Sequence, residues 1–161
     1  MVPGESFFMA TAALGVSLAG FTGLIAAVDP NTETRPAIAA WRIHNVVQFG
    51  FMLTILGFGT IALHAISGDV NLTTRLVSGA AATWSFALWW RATEPSPAWP
   101  DESQRRWRRP FVLSSSILIA TNVVFASVGG LQLVFVLLLY VALDIFRQTI
   151  KDHTTRRREG V

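Results

Sequence analysis

The chain contains no cysteine. Disulfides, thiolate metal sites, iron–sulfur clusters and cysteine nucleophiles are thereby excluded. Charge is scarce: 14% of residues are charged, against roughly 25% in an average soluble domain. Lysine occurs once beside twelve arginines, a bias that fits a GC-rich microbial genome. Histidine occurs three times. His44 and His64 stand twenty residues apart on one expected helix, about 30 Å along its axis, so one chain cannot bring both to a single haem. His153 falls in a polar tail. The opening residues "MVPGESFFMA" hold no Lys or Arg, whereas a secretory signal needs a basic start and a shorter apolar region. Residues 6–28 therefore read as a retained span. A metalloprotease H-E-x-x-H, a P-loop and a Gly-rich dinucleotide fingerprint are also missing, and no catalytic base is evident for Ser114-Ser115-Ser116. No cofactor, metal or catalytic residue is expected, and no nucleic-acid partner.

What the chain does have is apolar residues, 52% of the total, gathered into blocks longer than a soluble core helix needs. Uncharged stretches of about 18 or more residues mark transmembrane helices. The first block is Ser6 to Val28, closed by Asp29-Pro30-Asn31. A second helix is expected to start near Pro36 and to lie in the membrane from Trp41 to Ile66. "SGDVN", residues 67–71, reads as a turn. The third block runs from Leu72 to Trp90, with Trp84, Trp89 and Trp90 toward its end where an aromatic belt would lie. A polar loop follows over 91–109, with room for a short surface helix in "PDESQRRWRR". Pro110 opens the next apolar block.

The run from Phe111 to Phe146 is 36 residues long. As one helix it would measure about 54 Å, against a hydrocarbon core about 30 Å thick. Two spans fit better, with the turn at Gly129-Gly130. Arginine placement gives an independent test. With five spans, one side collects 12 Lys and Arg and the other collects 1; with four, the split is 7 to 6. Positive charge concentrates on the cytoplasmic side, so five spans are expected. The reading is a single all-α integral membrane bundle, residues 1–161, in the plasma (inner) membrane. Its spans are near 6–28, 41–66, 72–90, 110–127 and 131–147, with the N-terminus outside and a basic tail, 148–161, in the cytoplasm.

Helices in lipid associate through small residues. Gly15, Ala19, Gly23 and Ala27 form a four-residue repeat on the first span, and Gly79, Thr83 and Ala87 one on the third. Both read as packing seams, within the bundle or toward a homo-oligomer or membrane-complex partner. Polar residues within spans fall in two layers. The cytoplasmic layer is Arg42, His44, Asn45, Gln48, Asp144 and Arg147. Asp144 is free to pair with Arg147 in its own helix or with Arg42 or His44 across helices. The outer layer is His64, Asn122 and Gln132, with Glu5 and Ser6 at the entrance of the first span. Arg105, Arg106, Trp107, Arg108 and Arg109 are expected at anionic lipid headgroups, where each Arg contributes about 1 kcal/mol.

The stretches "SLAGFTGLIAA" and "LLLYVALDIFRQTI", with Phe146-Arg147 closing the last span, resemble a diffuse group of small prokaryotic multi-span membrane proteins. The resemblance implies the order of spans; the group has no assigned activity, so no functional residue follows from it. The expected function is a non-enzymatic accessory or stabilising subunit, or an oligomeric scaffold. A small transporter or channel using His44, Gln48 and Asp144 is the alternative, and a lipid-acting membrane enzyme the second alternative.

Overall fold

The computed structural model describes residues 3–28, 37–93 and 102–159, with side-chain surroundings for 3–27, 40–87 and 113–150. All elements among the described residues are α-helices: α1 Glu5–Val28, α2 Ala37–Ser67, α3 Val70–Thr93, α4 Glu102–Phe125 and α5 Val128–Glu159. Three are long and apolar enough to cross a membrane, over Glu5–Ala27, Ala40–Ser67 and Val128–Ile150. The apolar stretch of α4 is shorter, Leu113–Phe125, and α3 is diluted by Thr73, Thr74, Arg75, Ser78, Thr83 and Ser85.

The turn expected over 67–71 is present and tight. Gly68 ends α2 at φ +66° and donates its N–H to the His64 carbonyl at 2.8 Å. A residue without Cβ adopts this left-handed form freely. Asp69 caps α3, its Oδ1 accepting the N–H groups of Asn71 at 2.7 Å and Leu72 at 3.2 Å, donors that a helix start otherwise leaves unpaired.

Three boundaries differ from the sequence expectation. The long apolar run breaks at Ala126-Ser127, and Gly129-Gly130 lie in the first turn of α5. Ser127 supplies what a glycine pair lacks, a capping side chain: its Oγ accepts the Gly130 N–H at 3.2 Å. Ala126 makes the reversal at φ +51°. Next, the loop expected over 91–109 is shorter, because α3 continues to Thr93 and α4 begins at Glu102 and runs on through Pro110. Glu102 suits the positive end of a helix dipole. Pro110 leaves one carbonyl of the preceding turn without its donor, a local loss that the rest of the helix outlasts. Pro95, Pro97 and Pro100 lie outside the described residues. Finally, α5 does not stop near residue 147 but continues to Glu159; no Gly or Pro occurs from 131 to 159 to end it.

Both tight turns and the start of α1 share one end of the bundle. Gly4 lies against the Gln132 amide early in α5, and Asn122 at the end of α4 bonds Ser78 of α3. Helix α5 is the hub, touching each of the other four, while α1 pairs most extensively with α2 and α3 with α4. Phe8, Val46, Leu53, Ile119, Leu131, Val134 and Phe135 fill the centre. Phe8 meets Phe7 and Phe135 edge-on, with ring centroids 5.6 and 5.3 Å apart, a geometry that aligns ring edges with ring faces.

The small-residue seams are corrected in detail. Gly15 and Ala19 do face α2: a Cβ at Gly50 would stand 2.5 Å from the Gly15 carbonyl oxygen and 3.0 Å from the Ala19 Cβ. Gly23 has no atom within 4 Å of its Cβ position, and both it and Ala27 are exposed. On α3, Gly79 likewise meets nothing within 4 Å, and Thr83 and Ala87 are exposed. The reason is helical geometry. Each four-residue step overshoots a full turn by about 40°, so a stripe repeated every four residues winds off its partner. Alternating steps of four and three hold one face. The inner stripe of α1 follows that rule through Phe8, Ala12, Gly15, Ala19 and Thr22. Val46, Gly50, Leu53, Gly57 and Thr60 match it on α2, and Thr74, Ser78, Ala81 and Ser85 on α3 are all buried.

Along this seam α1 and α2 run antiparallel: a Cβ at Gly57 would come within 2.8 Å of the Phe8 carbonyl oxygen and 2.9 Å of the Ala12 Cβ. The Thr54 hydroxyl lies 2.8 Å from the Gly50 carbonyl oxygen and 3.2 Å from that of Ala12, sharing its proton between the two helices. Replacing Gly50 or Gly57 by alanine therefore forces the helices apart. Each substitution is expected to cost about 1–3 kcal/mol, the range for overpacking. Gly23→Ala, in open space, is expected to be neutral or slightly stabilising. Unfolding titrations in mixed detergent micelles check the contrast; equal effects at Gly50 and Gly23 would refute the seam.

Candidate functional site

The polar layer expected on the outer side is where the structure gathers side chains from different helices. Asn122 is buried four residues before the α4–α5 turn, and its Nδ2 donates to Ser78 Oγ of α3 at 2.9 Å. Its Oδ1 accepts the Ser127 N–H at 3.2 Å, and its backbone carbonyl accepts the Ala126 N–H at 2.9 Å. Gly130 of α5 packs so close that a Cβ there would overlap the Asn122 carboxamide. One side chain thus ties α3, the end of α4, the turn and the first turn of α5. Low dielectric makes such a bond strong when closed and costly when opened.

The other outer residues do not join this knot. Gln132 is half-buried on α5 with its amide against Gly4, which takes φ +80°. His64 is half-buried on α2, and its Nδ1 is buried without a hydrogen-bond partner. Glu5 is half-buried in the first turn of α1, and Ser6 is exposed.

The layer expected on the cytoplasmic side is dispersed. Asn45 is buried, but its Nδ2 donates to the Trp41 carbonyl of its own helix at 2.8 Å. Arg42 and Gln48 are half-buried, while His44, Asp144 and Arg147 are exposed. The Asp144 carboxylate accepts from Gln148 Nε2 at 2.8 Å, one turn along α5. Among the described residues it is not drawn to Arg42, His44 or Arg147. The expected convergence fails because Asp144 lies off the inner stripe of α5, which runs through Leu131, Val134, Phe135, Leu138, Ala142 and Ile145. Arg105 to Arg109 lie on the helical backbone of α4, and their side chains are outside the described surroundings.

Four buried threonine hydroxyls are closed within single helices. Thr11, Thr22, Thr60 and Thr149 donate to the carbonyls of Phe7, Leu18, Leu56 and Ile145, each four residues back, at 2.6–2.9 Å. This back-bonding lets a polar side chain sit in an apolar helix. The knot is itself built of amides and hydroxyls, which keep their hydrogen-bonding character across physiological pH. What it does chemically is fix geometry. Ser78, Ser127 and Gly130 were not among the residues expected from sequence. A signal for two of them existed: Ser127 stands three residues before Gly130, at capping distance.

The fold defines the class: an all-α chain with three helices apolar enough to cross a membrane. No family model matches the chain, and neither does any curated protein or solved structure.

Gly130→Ala is expected to destabilise by about 1–3 kcal/mol, since the new methyl displaces the Asn122 amide and leaves buried polar groups unmatched. In an Asn122→Ala background the same substitution is expected to be nearly neutral, because the obstacle is gone. The double-mutant cycle measures this coupling; additive effects would refute the knot. Ala126→Gly is expected to stabilise by about 1 kcal/mol by relieving the left-handed alanine.

Proposed function

We propose that the chain is a non-enzymatic integral membrane protein that works by packing, as an accessory or stabilising subunit or as an oligomeric scaffold. The observation that carries the reading is how its polar and apolar groups are divided. The hydroxyls of Thr11, Thr22, Thr54, Thr60 and Thr149 and the Asn122 amide are engaged within helices or between them. Large apolar side chains face outward on α1, α2 and α5, among them Leu14, Phe21, Phe51, Ile55, Phe58, Leu133 and Val136. That inversion suits a bilayer, where backbone and side-chain polar groups must close their bonds internally.

All five helices are read as spans, with the start of α1 outside and the end of α5 in the cytoplasm. Support comes from joining the two tight turns to the charge count. With both turns at one end, the opposite end receives 12 of the 13 basic residues, Arg75 being the exception. Trp41, Trp84, Trp89, Trp90 and Trp107 lie on helical segments leading toward that same end. Cytoplasmic loops collect Lys and Arg, and Trp anchors interfaces. The helical extensions bearing Arg105 to Arg109 and Arg156 to Arg158 then lie against anionic headgroups of the plasma membrane. The resemblance to small prokaryotic multi-span proteins accords with this order of spans.

Two measurements test the proposal. With no native cysteine, a single one reports its side. Thr155→Cys is expected to react with a membrane-impermeant maleimide only after cells are permeabilised, and Asn71→Cys in intact cells. The reverse pattern would overturn the orientation. Purification in mild detergent is expected to yield a stoichiometric protein partner or a stable oligomer. A monomer that conducts ions or solutes in liposomes, and loses the flux in His44→Ala or Asp144→Asn, would overturn the packing role.

A further inference from the structure

The outward face of α5 carries a run of polar groups in the second half of its apolar stretch. Tyr140, the only tyrosine of the chain, is 60% exposed. It stands twelve residues after Val128, about 18 Å into a hydrocarbon layer about 30 Å thick. Asp144 follows one turn on and Arg147 the next, both exposed. Neither the Tyr140 hydroxyl nor Arg147 has a partner among the described residues, and Asp144 is met by Gln148 of its own helix. Between them the face is apolar and open, with Leu133, Val136 and Leu143 each nearly half exposed. An unpaired hydroxyl facing lipid and an unpaired guanidinium at its edge are costly, so this face lacks its cover.

We propose that the cover is the same face of a second copy, giving a two-fold dimer through α5. The inference rests on the oligomeric-scaffold reading and names its interface. Two copies in one membrane share an orientation, so a two-fold axis along the membrane normal brings α5 against α5 in parallel at equal depth. The polar order is donor, acceptor, donor: Tyr140 hydroxyl, Asp144 carboxylate, Arg147 guanidinium. The acceptor lies about 6 Å along the axis from one donor and about 4.5 Å from the other. Each carboxylate therefore meets the donors of the facing copy within one turn, and each contact occurs twice, as a self-complementary interface requires. Leu133, Val136, Tyr140, Leu143 and Arg147 alternate steps of three and four, the spacing that keeps a seam between paired helices.

The test uses the full chain in phosphatidylcholine–phosphatidylglycerol vesicles, with one cysteine introduced at a time and a mild oxidant. Leu143→Cys is expected to form a covalent dimer, and Val136→Cys, one heptad earlier, to do the same. Ile55→Cys, on the exposed face of α2, is expected to stay monomeric. Adding Asp144→Asn to Leu143→Cys is expected to lower cross-linking about tenfold, because the charge that draws both donors across the interface is removed from each copy, while Asp144→Glu retains it. Equal cross-linking at Ile55 and Leu143 would overturn the interface, as would no effect of Asp144→Asn. Cross-linking at Ser17→Cys of α1 but not at Leu143 or Val136 would remove the α5 interface and leave the scaffold reading standing. No cross-link anywhere, with a different protein co-purifying through this face, would replace the second copy by that protein.

Discussion

Acyl chains solvate an apolar side chain about as well as another apolar side chain does. A helix in lipid is therefore held by close backbone approach and by polar groups that find each other, and both occur here at few places. The α1–α2 seam shows the first. Gly15, Gly50 and Gly57 let main chains meet at distances a methyl group forbids, and the Thr54 hydroxyl reaches across to the Ala12 carbonyl. Leucines at those positions would suit lipid equally and would leave the helices nothing to gain by touching.

The second device, a closed polar contact, organises the other half. Helix α5 touches all four of the other helices, so its position fixes the bundle. Phe135 holds it to Phe8 of α1 through edge-on rings, and Gly130 seats it on Asn122. Asn122 is anchored to Ser78, so the contact that positions α5 also fixes α3 relative to α4. The turn beside it follows from the same residue: with its Oδ1 on the Ser127 N–H and its backbone carbonyl on the Ala126 N–H, the chain leaves α4 in a left-handed step and re-enters helix at once.

How much of this the sequence discloses depends on the kind of signal. Block lengths and the 36-residue apolar run contain the helix count, because a run too long for one bilayer crossing must be divided. Gly68-Asp69 marks its turn by composition. The second turn is misplaced by three residues because a glycine pair is a weaker stop than a capping serine, and because Gly130 serves contact rather than reversal. The seams are half legible: small residues identify the face of α1, but a four-residue repeat selects Gly23 and Ala27, which wind away, and passes over Gly50 and Gly57. Position in a span says that Asp144 and His44 share a depth and nothing about azimuth, and azimuth separates them. Asn122 stands out as a buried polar residue, while Ser78, its partner, is one of several serines and threonines in α3 with nothing local to distinguish it.

Azimuth also links the two faces of α5. Leu131 is almost fully buried, and Tyr140 lies nine residues on, two and a half turns, hence opposite it. The contacts that turn Leu131, Phe135 and Ile145 inward leave Tyr140 and Arg147 no choice but to face out. A rotation of α5 that hid the tyrosine would pull Gly130 off Asn122 and set a side chain in its place. The internal knot therefore holds the polar face of α5 toward the surroundings at a cost the chain does not recover within itself. A helix whose azimuth is fixed by Gly130 at one end, with a tyrosine hydroxyl and an arginine kept open on its far side, suits a partner group that the single chain does not supply.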